Sequence, residues 1–129
     1  LGCGFVARGF SGDQQGLSQI IQSAVLHKGF SFIEVLQPCI SMNKVNTFAW
    51  YRSRFKNVKD IDPNYDPSNR EKALKMAETW GEVIPGGILY QDTSAPAFED
   101  RNSLLAEQTL VKRKPRELSK VEALFKDFM

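Results

Sequence analysis

Apolar residues fall into short blocks along the chain, and their spacing changes from block to block. Phe5 to Phe10 is a mostly apolar run punctuated by glycines, which predicts a strand. It stops at Ser11-Gly12-Asp13, a turn that also offers helix-capping oxygens. Leu17, Ile20, Ile21, Ala24 and Val25 then recur at i, i+3, i+4, i+7 and i+8, one apolar helical face. Lys28 and Gly29 close that helix, with glycine supplying the left-handed residue past its end. Phe30 to Leu36 is rich in β-formers and halts at Gln37-Pro38, a second strand. Strand, helix and strand in this order describe a right-handed βαβ crossover, hence a parallel pair in an α/β sheet.

The pattern then loosens. Pro38 to Asn46 has no clean period and reads as a loop at the carboxyl end of the second strand. Thr47 is placed to cap a helix carrying Phe48, Trp50, Tyr51 and Phe55, and Asp60 to Ser68 is a turn-rich connection. Ser68 with Glu71 has the spacing of a capping box, ahead of a helix with Ala73, Leu74, Ala77 and Trp80 on its apolar face; Asp66-Pro67 offers an earlier start. Pro85 to Gln91 predicts a late strand. Near the end, Ser119 and Glu122 form another capping-box spacing before Val121, Leu124, Phe125 and Phe128 at i, i+3, i+4 and i+7. Residues 111–129 hold six Lys/Arg against three Asp/Glu, a net of +3, which leaves −1 for residues 1–110 of a chain whose total is +2. The tail is therefore a basic amphipathic helix.

Composition narrows the function classes. At 129 residues and 42% hydrophobic, the chain fits one ordinary domain and can build a core. Its near-balanced charge, 17 basic against 15 acidic, removes the strong electrostatic case for nucleic acid. The short basic stretch at 111–126, interleaved with acids, does little to restore it. No apolar run is long enough to span a bilayer and no signal pattern opens the chain, which points to a soluble, cytoplasmic protein. The chain opens Leu1-Gly2-Cys3-Gly4-Phe5, without an initiator Met and directly into an apolar segment, as expected of a piece of something larger.

Candidate chemistry is sparse. The single histidine, His27, sits in a helix's last turn, where the macrodipole favours a cation. No Gly-rich phosphate loop is present, and a Ser-His-Asp set would have to use that one His. Taken alone, the chain is not expected to be a complete enzyme. Cys39 stands out, because Leu36-Gln37-Pro38-Cys39 puts a thiol in a stiff loop at the carboxyl edge of a parallel sheet, where open α/β folds place ligands. Ser41, Asn43, Lys44, Asn46 and Thr47 surround it with donors suited to anionic sulfur or phosphate. A buried, inert cysteine is the competing reading. Cys3 reads as core filler, and Phe48, Trp50 and Tyr51 as packing or subunit interface.

Several of these segments also carry a resemblance. Phe5-Val6-Ala7-Arg8, Gly9-Phe10-Ser11-Gly12-Asp13, His27-Lys28-Gly29-Phe30 and, most specifically, Leu36-Gln37-Pro38-Cys39-Ile40-Ser41-Met42-Asn43-Lys44-Val45-Asn46-Thr47 resemble the β subunit of 2-oxoacid:ferredoxin oxidoreductases, in the 2-oxoglutarate-type branch. Trp50-Tyr51-Arg52, Tyr65-Asp66-Pro67, Trp80-Gly81 and the segment from Ile84 to Tyr90 continue the similarity, which covers about Leu1 to Gln91.

The resemblance implies a partial thiamine-diphosphate-binding-type α/β fold, a parallel βαβ crossover followed by a helical C-terminal extension. Residues 1–36 would end the cofactor domain, 37–110 would be the family's extension with its Pro-Cys loop, and 111–129 the basic helical tail. It implies that Cys39 is the fourth ligand of a four-iron four-sulfur cluster whose other three ligands lie upstream, as does the motif for magnesium and thiamine diphosphate. Lys44 would then be a neighbour of the cluster, or else a solvated or interface residue. The implied partners are the α subunit, ferredoxin, a 2-oxoacid such as 2-oxoglutarate, and coenzyme A. The implied reaction is coenzyme A-acylating oxidative decarboxylation, with the fragment inactive by itself and no cofactor bound to it. A different class remains open: a non-catalytic interaction module whose basic tail docks on a partner chain.

Overall fold

The computed structural model describes residues 2–106 and 108–126. They fall into two compact units, residues 1–97 and 98–129. The first is a mixed α/β unit built on a four-stranded sheet in the order β2-β1-β4-β3, with β1 at Phe5–Phe10, β2 at Ser31–Leu36, β3 at Phe55–Asn57 and β4 at Ile84–Gln91. β1 and β2 are parallel, from Phe5 opposite Ser31 to Phe10 opposite Leu36, and α1 (Gln14–Leu26) makes the crossover. The expected βαβ unit is therefore present. β4 runs antiparallel to β1, and β3 runs parallel to β4, so the sheet is mixed.

The alternation of β1 divides the core. Phe5 and Ala7 pack with Ile20 and Ala24 of α1 and with Ile33 and Ile88. Phe10 belongs to a second cluster with Leu36, Ile84, Trp50, Tyr51 and Phe55. The rings of Phe48, Tyr51 and Phe55 each lie within 6 Å of the Phe10 ring, at 5.9, 5.8 and 5.7 Å. Trp50 meets Tyr51 edge-on at 4.9 Å. The aromatic run after Thr47 is packing: with α2 (Phe48–Arg54) it closes one end of the sheet. Burying a ring such as that of Phe10 contributes about 2–3 kcal/mol.

Between these clusters sits a charge. Arg8 is 7% exposed. Its Nε donates to Glu34 Oε2 at 2.6 Å, its terminal nitrogens to Pro85 O at 3.3 Å and Ala77 O at 3.1 Å, and its guanidinium lies 5.4 Å from the Trp80 ring centroid. One side chain thus joins β2, β4 and the end of α4 (Arg70–Glu78) to β1.

Several local expectations are corrected. Phe55 is the first residue of β3, not the end of a helix. Its ring lies where a Cβ on Gly86 would sit, so a glycine is needed for β3 to come this close. Gly87 has φ +93 and faces the Asn57 side chain. Val58–Ile61 forms a short helix, α3, capped by Asn57, which takes the first two residues of the connection expected over Asp60 to Ser68; the rest of it is turn and coil. The cap of α4 is Asn69, whose Oδ1 accepts from Lys72 N at 3.0 Å. α4 begins at Arg70, so Ser68 lies one residue before the cap position, and its N–H and hydroxyl both donate to Asp66. Those two bonds, the backbone one first, hold the Asp66 carboxyl below its ordinary pKa. α4 ends at Glu78, so Trp80 lies beyond it and stacks near Arg8 instead.

α1 ends at Leu26 with His27 as its C-cap, so Gly29, though at φ +122, is too far along to be its left-handed cap. His27 lies at the end of α1 as expected, packs its ring 5.6 Å from Phe5, and has a buried Nε2 with no hydrogen-bond partner among the described residues.

β4 carries a bulge: Tyr90 opposes Val6 and Ile88 opposes Ala7, leaving Leu89 as the extra residue. Tyr65 donates its hydroxyl to Leu89 O at 2.6 Å and packs with Leu89 and Val58. Burial, then the charges of Asp62 and Asp66, push the Tyr65 phenol above its ordinary pKa.

The second unit contains α5 (Phe98–Arg101), α6 (Ser103–Ala106), a 3-10 turn at Leu110–Lys112 and α7 (Leu118–Lys126). Ser119 lies inside α7 and is not its cap; Lys120 N and Val121 N both donate to Glu117 O. Leu118, Leu124 and Phe125 are exposed. Phe128, expected on the same face, lies outside the described residues. No helix among the described residues is long and apolar enough to cross a membrane.

Arg8→Ala strands Glu34 and two carbonyls and is expected to cost about 3 kcal/mol in a denaturant titration. Glu34→Gln, at a carboxylate 45% exposed, is expected to cost about 1 kcal/mol or less. Tyr65→Phe is expected to cost about 1 kcal/mol at neutral pH through the lost hydrogen bond. Because the folded pKa of Tyr65 is raised, its contribution is complete below the unfolded value near 10 and is lost as pH rises through the folded one. Titrations between pH 8 and about 11 should therefore show a shallower alkaline loss in Tyr65→Phe than in the parent.

Candidate functional site

The loop after β2 is held from both ends. Ser11 N donates to Leu36 O at 3.0 Å, and Pro38 is buried. Cys39 is exposed, which removes the reading of a buried, inert cysteine. Its carbonyl accepts from Met42 N at 3.1 Å and Asn43 N at 2.8 Å, closing a tight turn. Asn43 Oδ1 then accepts from Val45 N and Asn46 N at 2.9 and 3.0 Å. Thr47 Oγ1 accepts from Trp50 N at 3.4 Å and starts α2, as its sequence position predicts. The loop is thus bolted to the aromatic cluster around Phe10, with Cys39 carried outward on it.

Of the groups expected around Cys39, Asn43 and Thr47 accept backbone N–H groups through their side-chain oxygens and keep their own donors. Ser41, Lys44 and Asn46 make no side-chain hydrogen bond among the described residues. No set of three or more His, Cys, Asp or Glu side chains suited to a metal exists among the described residues. Cys39 is the one cysteine of this loop.

Cys3 is not brought to Cys39. It precedes β1, with Sγ 2.9 Å from Phe5 O and 3.3 Å from Phe30 O, a half-buried filler as expected. Cys3 and Cys39 lie at opposite ends of the parallel strands, about 20 Å apart for six residues of strand, far beyond disulfide reach. His27 lies at the Cys3 end, packed on Phe5. Asp92 also lies at that end, its N–H donating to Gly4 O at 2.8 Å. Its carboxyl is held below its ordinary pKa, first by the Ser94 hydroxyl and then by the Ser94 N–H. An open groove of about 760 Å³ runs beside α1, lined among others by Ile20, Ser23, Asn57, Tyr65 and Ile88, and neither cysteine lines it.

Sequence reasoning missed Arg8 as an organising residue. The available signal was a lone charge in each of two apolar strands, at positions that become Arg8 opposite Glu34 in the parallel register.

Comparison with known proteins places these features in a family. A family model described as the C-terminal region of the pyruvate ferredoxin oxidoreductase β subunit matches residues 39–107, beginning at Cys39 itself. A 2-oxoacid:ferredoxin oxidoreductase β subunit from a Sulfolobus species is 39% identical over 106 residues, covering 75% of this chain and 34% of the relative. The β subunit of 2-oxoacid:ferredoxin oxidoreductase 1 from Aeropyrum pernix is 37% identical over 106 residues, with 75% and 33% covered. The structure of 2-oxoglutarate:ferredoxin oxidoreductase from Magnetococcus marinus, with 2-oxoglutarate, coenzyme A and succinyl-CoA bound, superposes with a TM-score of 0.71 at 27% identity, covering 94% of this chain and 40% of that one. The chain spans about a third of the length of the curated relatives it matches.

In metal-free protein, a thiol alkylating reagent is expected to label Cys39 well ahead of Cys3, with peptide mass spectrometry reading both rates. Equal rates would mean that the exposed loop is closed in solution.

Proposed function

Because this chain belongs to the family defined by the carboxyl-terminal region of pyruvate ferredoxin oxidoreductase β subunits, we propose that it is the C-terminal part of the β subunit of a cytoplasmic 2-oxoacid:ferredoxin oxidoreductase. The complete enzyme, with its α subunit, oxidatively decarboxylates a 2-oxoacid, 2-oxoglutarate being the favoured candidate, transfers the acyl group to coenzyme A and delivers the electrons to ferredoxin. Residues 1–36 end the thiamine-diphosphate-binding domain, 37–110 form the extension with the Cys39 loop, and 111–129 the basic tail. This piece is not catalytic by itself. Its residues offer no cradle that we assign to thiamine diphosphate or magnesium.

The observation that carries the reading is Cys39, exposed on a braced loop at the carboxyl end of parallel β1 and β2. A four-iron four-sulfur cluster, when bound, supplies one-electron transfer and requires soft thiolate ligands. Cys39 fits one of four such positions. Buried Pro38 and the Asn43 and Thr47 hydrogen bonds fix the direction in which its thiolate is presented. Lys44, in the same loop and without a hydrogen bond among the described residues, brings positive charge that would stabilise a more reduced cluster.

A second reading, an interaction module without chemistry of its own, draws on the exposed apolar residues of α7, Leu118, Leu124 and Phe125. Binding of the chain to the α subunit, without any loss of iron on changing Cys39, would favour it.

In the full-length β chain, Cys39→Ala is expected to lower bound iron and the visible absorbance of the cluster while leaving the far-ultraviolet circular dichroism unchanged. Undiminished iron content in that variant would sink the assignment of Cys39.

A further inference from the structure

The loop that carries Cys39 also carries three large apolar side chains. Ile40 is 60% exposed, Met42 88% and Val45 75%. Single exposed apolar residues are ordinary on a protein surface, but three between positions 40 and 45 form a patch that calls for a cover. Each is tied to Cys39 by the bonds that shape the loop. Ile40 is its covalent neighbour, and Met42 N donates to Cys39 O at 3.1 Å. Asn43 N donates to the same carbonyl at 2.8 Å, and Asn43 Oδ1 accepts from Val45 N at 2.9 Å. Buried Pro38 anchors the loop at its start, and Thr47 ends it by capping α2. The bonds that orient the thiol therefore fix the apolar residues with it.

Met42 stands to Cys39 as the third residue of a helical first turn stands to its cap, since Cys39 O accepts from the N–H groups three and four residues on. In that geometry the later side chain reaches back toward the earlier one, as it does in a capping box. Methionine has no donor to offer there, and its three rotatable bonds let it lie over a neighbouring group.

We propose that Met42, flanked by Ile40 and Val45, is the apolar cover of the metal centre to which Cys39 is a ligand, and that it holds water off the Cys39 sulfur. The proposal rests on the reading of Cys39 as a cluster ligand and adds the residue that sets how wet that ligand is. An apolar shell limits solvent access to a metal site and lowers the local dielectric, which moves its reduction potential. Reduction by one electron adds one negative charge to the centre, and water stabilises that charge better than a thioether does. A polar side chain at position 42 therefore raises the potential and opens the sulfur to chelators.

The test uses the full-length β chain with its iron bound, as parent, Met42→Leu, Met42→Gln and Cys39→Ala. Position 42 is so exposed that neither of its variants is expected to change the far-ultraviolet circular dichroism. Met42→Gln is expected to raise the reduction potential in a spectroscopic redox titration and to lose iron to a chelator about tenfold faster than the parent. Met42→Leu, apolar and of similar volume, should match the parent in both. A Met42→Gln chain that matches the parent in potential and iron loss would overturn the proposal. So would equal changes in the Leu and Gln variants, which would mark a contact specific to methionine in place of exclusion of water. Weaker binding of Met42→Gln to the α subunit, with potential and iron loss unchanged, would overturn it by making the patch a subunit contact. Undiminished iron in Cys39→Ala would overturn the reading of Cys39 itself.

Discussion

The first unit depends on one buried guanidinium. β1 is the central strand on which β2 and β4 both pair, and Arg8 is the residue of β1 that reaches beyond the sheet. It meets a carboxylate on one neighbouring strand, a carbonyl on the other and a carbonyl in the last turn of α4. Apolar packing alone would fix how far apart these elements sit, since the hydrophobic effect has no direction. The hydrogen bonds of Arg8 add the missing direction: they set which part of α4 lies over the sheet and keep Glu34 facing inward. The C-terminal end of α4 suits the role, because its last carbonyls lack helical partners and carry partial negative charge.

With that frame in place, the two ends of the sheet acquire different characters. At one end, His27 packs on Phe5, and the Cys3 Sγ lies 2.9 Å from Phe5 O. At the other, the carboxyl ends of β1 and β2 release the chain into the Cys39 loop, and the rings of Phe10, Phe48, Trp50, Tyr51 and Phe55 pack together beside it. Parallel strands make this asymmetry unavoidable, because their carboxyl ends coincide. Rigidity at the aromatic end and exposure of the loop are complementary, since a ligand must be both accessible and fixed in direction.

Much of this was legible in the chain. The period of Leu17, Ile20, Ile21 and Ala24 predicted α1, the β-formers of Phe30 to Leu36 predicted β2, and Thr47 announced α2. Each of those signals is local. β3 was illegible because three residues from Phe55 to Asn57 are extended only by a neighbour, and the fit of the Phe55 ring over Gly86 is a contact between residues 31 apart. The direction of β4 was equally hidden, since strand composition does not encode which way a strand runs. Ser68 misled by one position: α4 begins at Arg70, which puts Asn69 at the cap, while Ser68 donates to Asp66 in the turn before it. The position of Cys39 was readable from Pro38 and the family pattern, whereas the bonds by which the Asn43 and Thr47 oxygens brace the loop required the fold.

The separation of the two cysteines has a consequence for chemistry under oxidative stress. Six residues of paired strand hold Cys3 and Cys39 apart, and no local opening of a loop closes that distance. Exposed Cys39 therefore cannot protect itself by bonding to Cys3. Its sulfenic acid must be captured by a thiol other than Cys3, or proceed to irreversible oxidation. The same geometry that presents one sulfur for ligation leaves it dependent on its surroundings for repair.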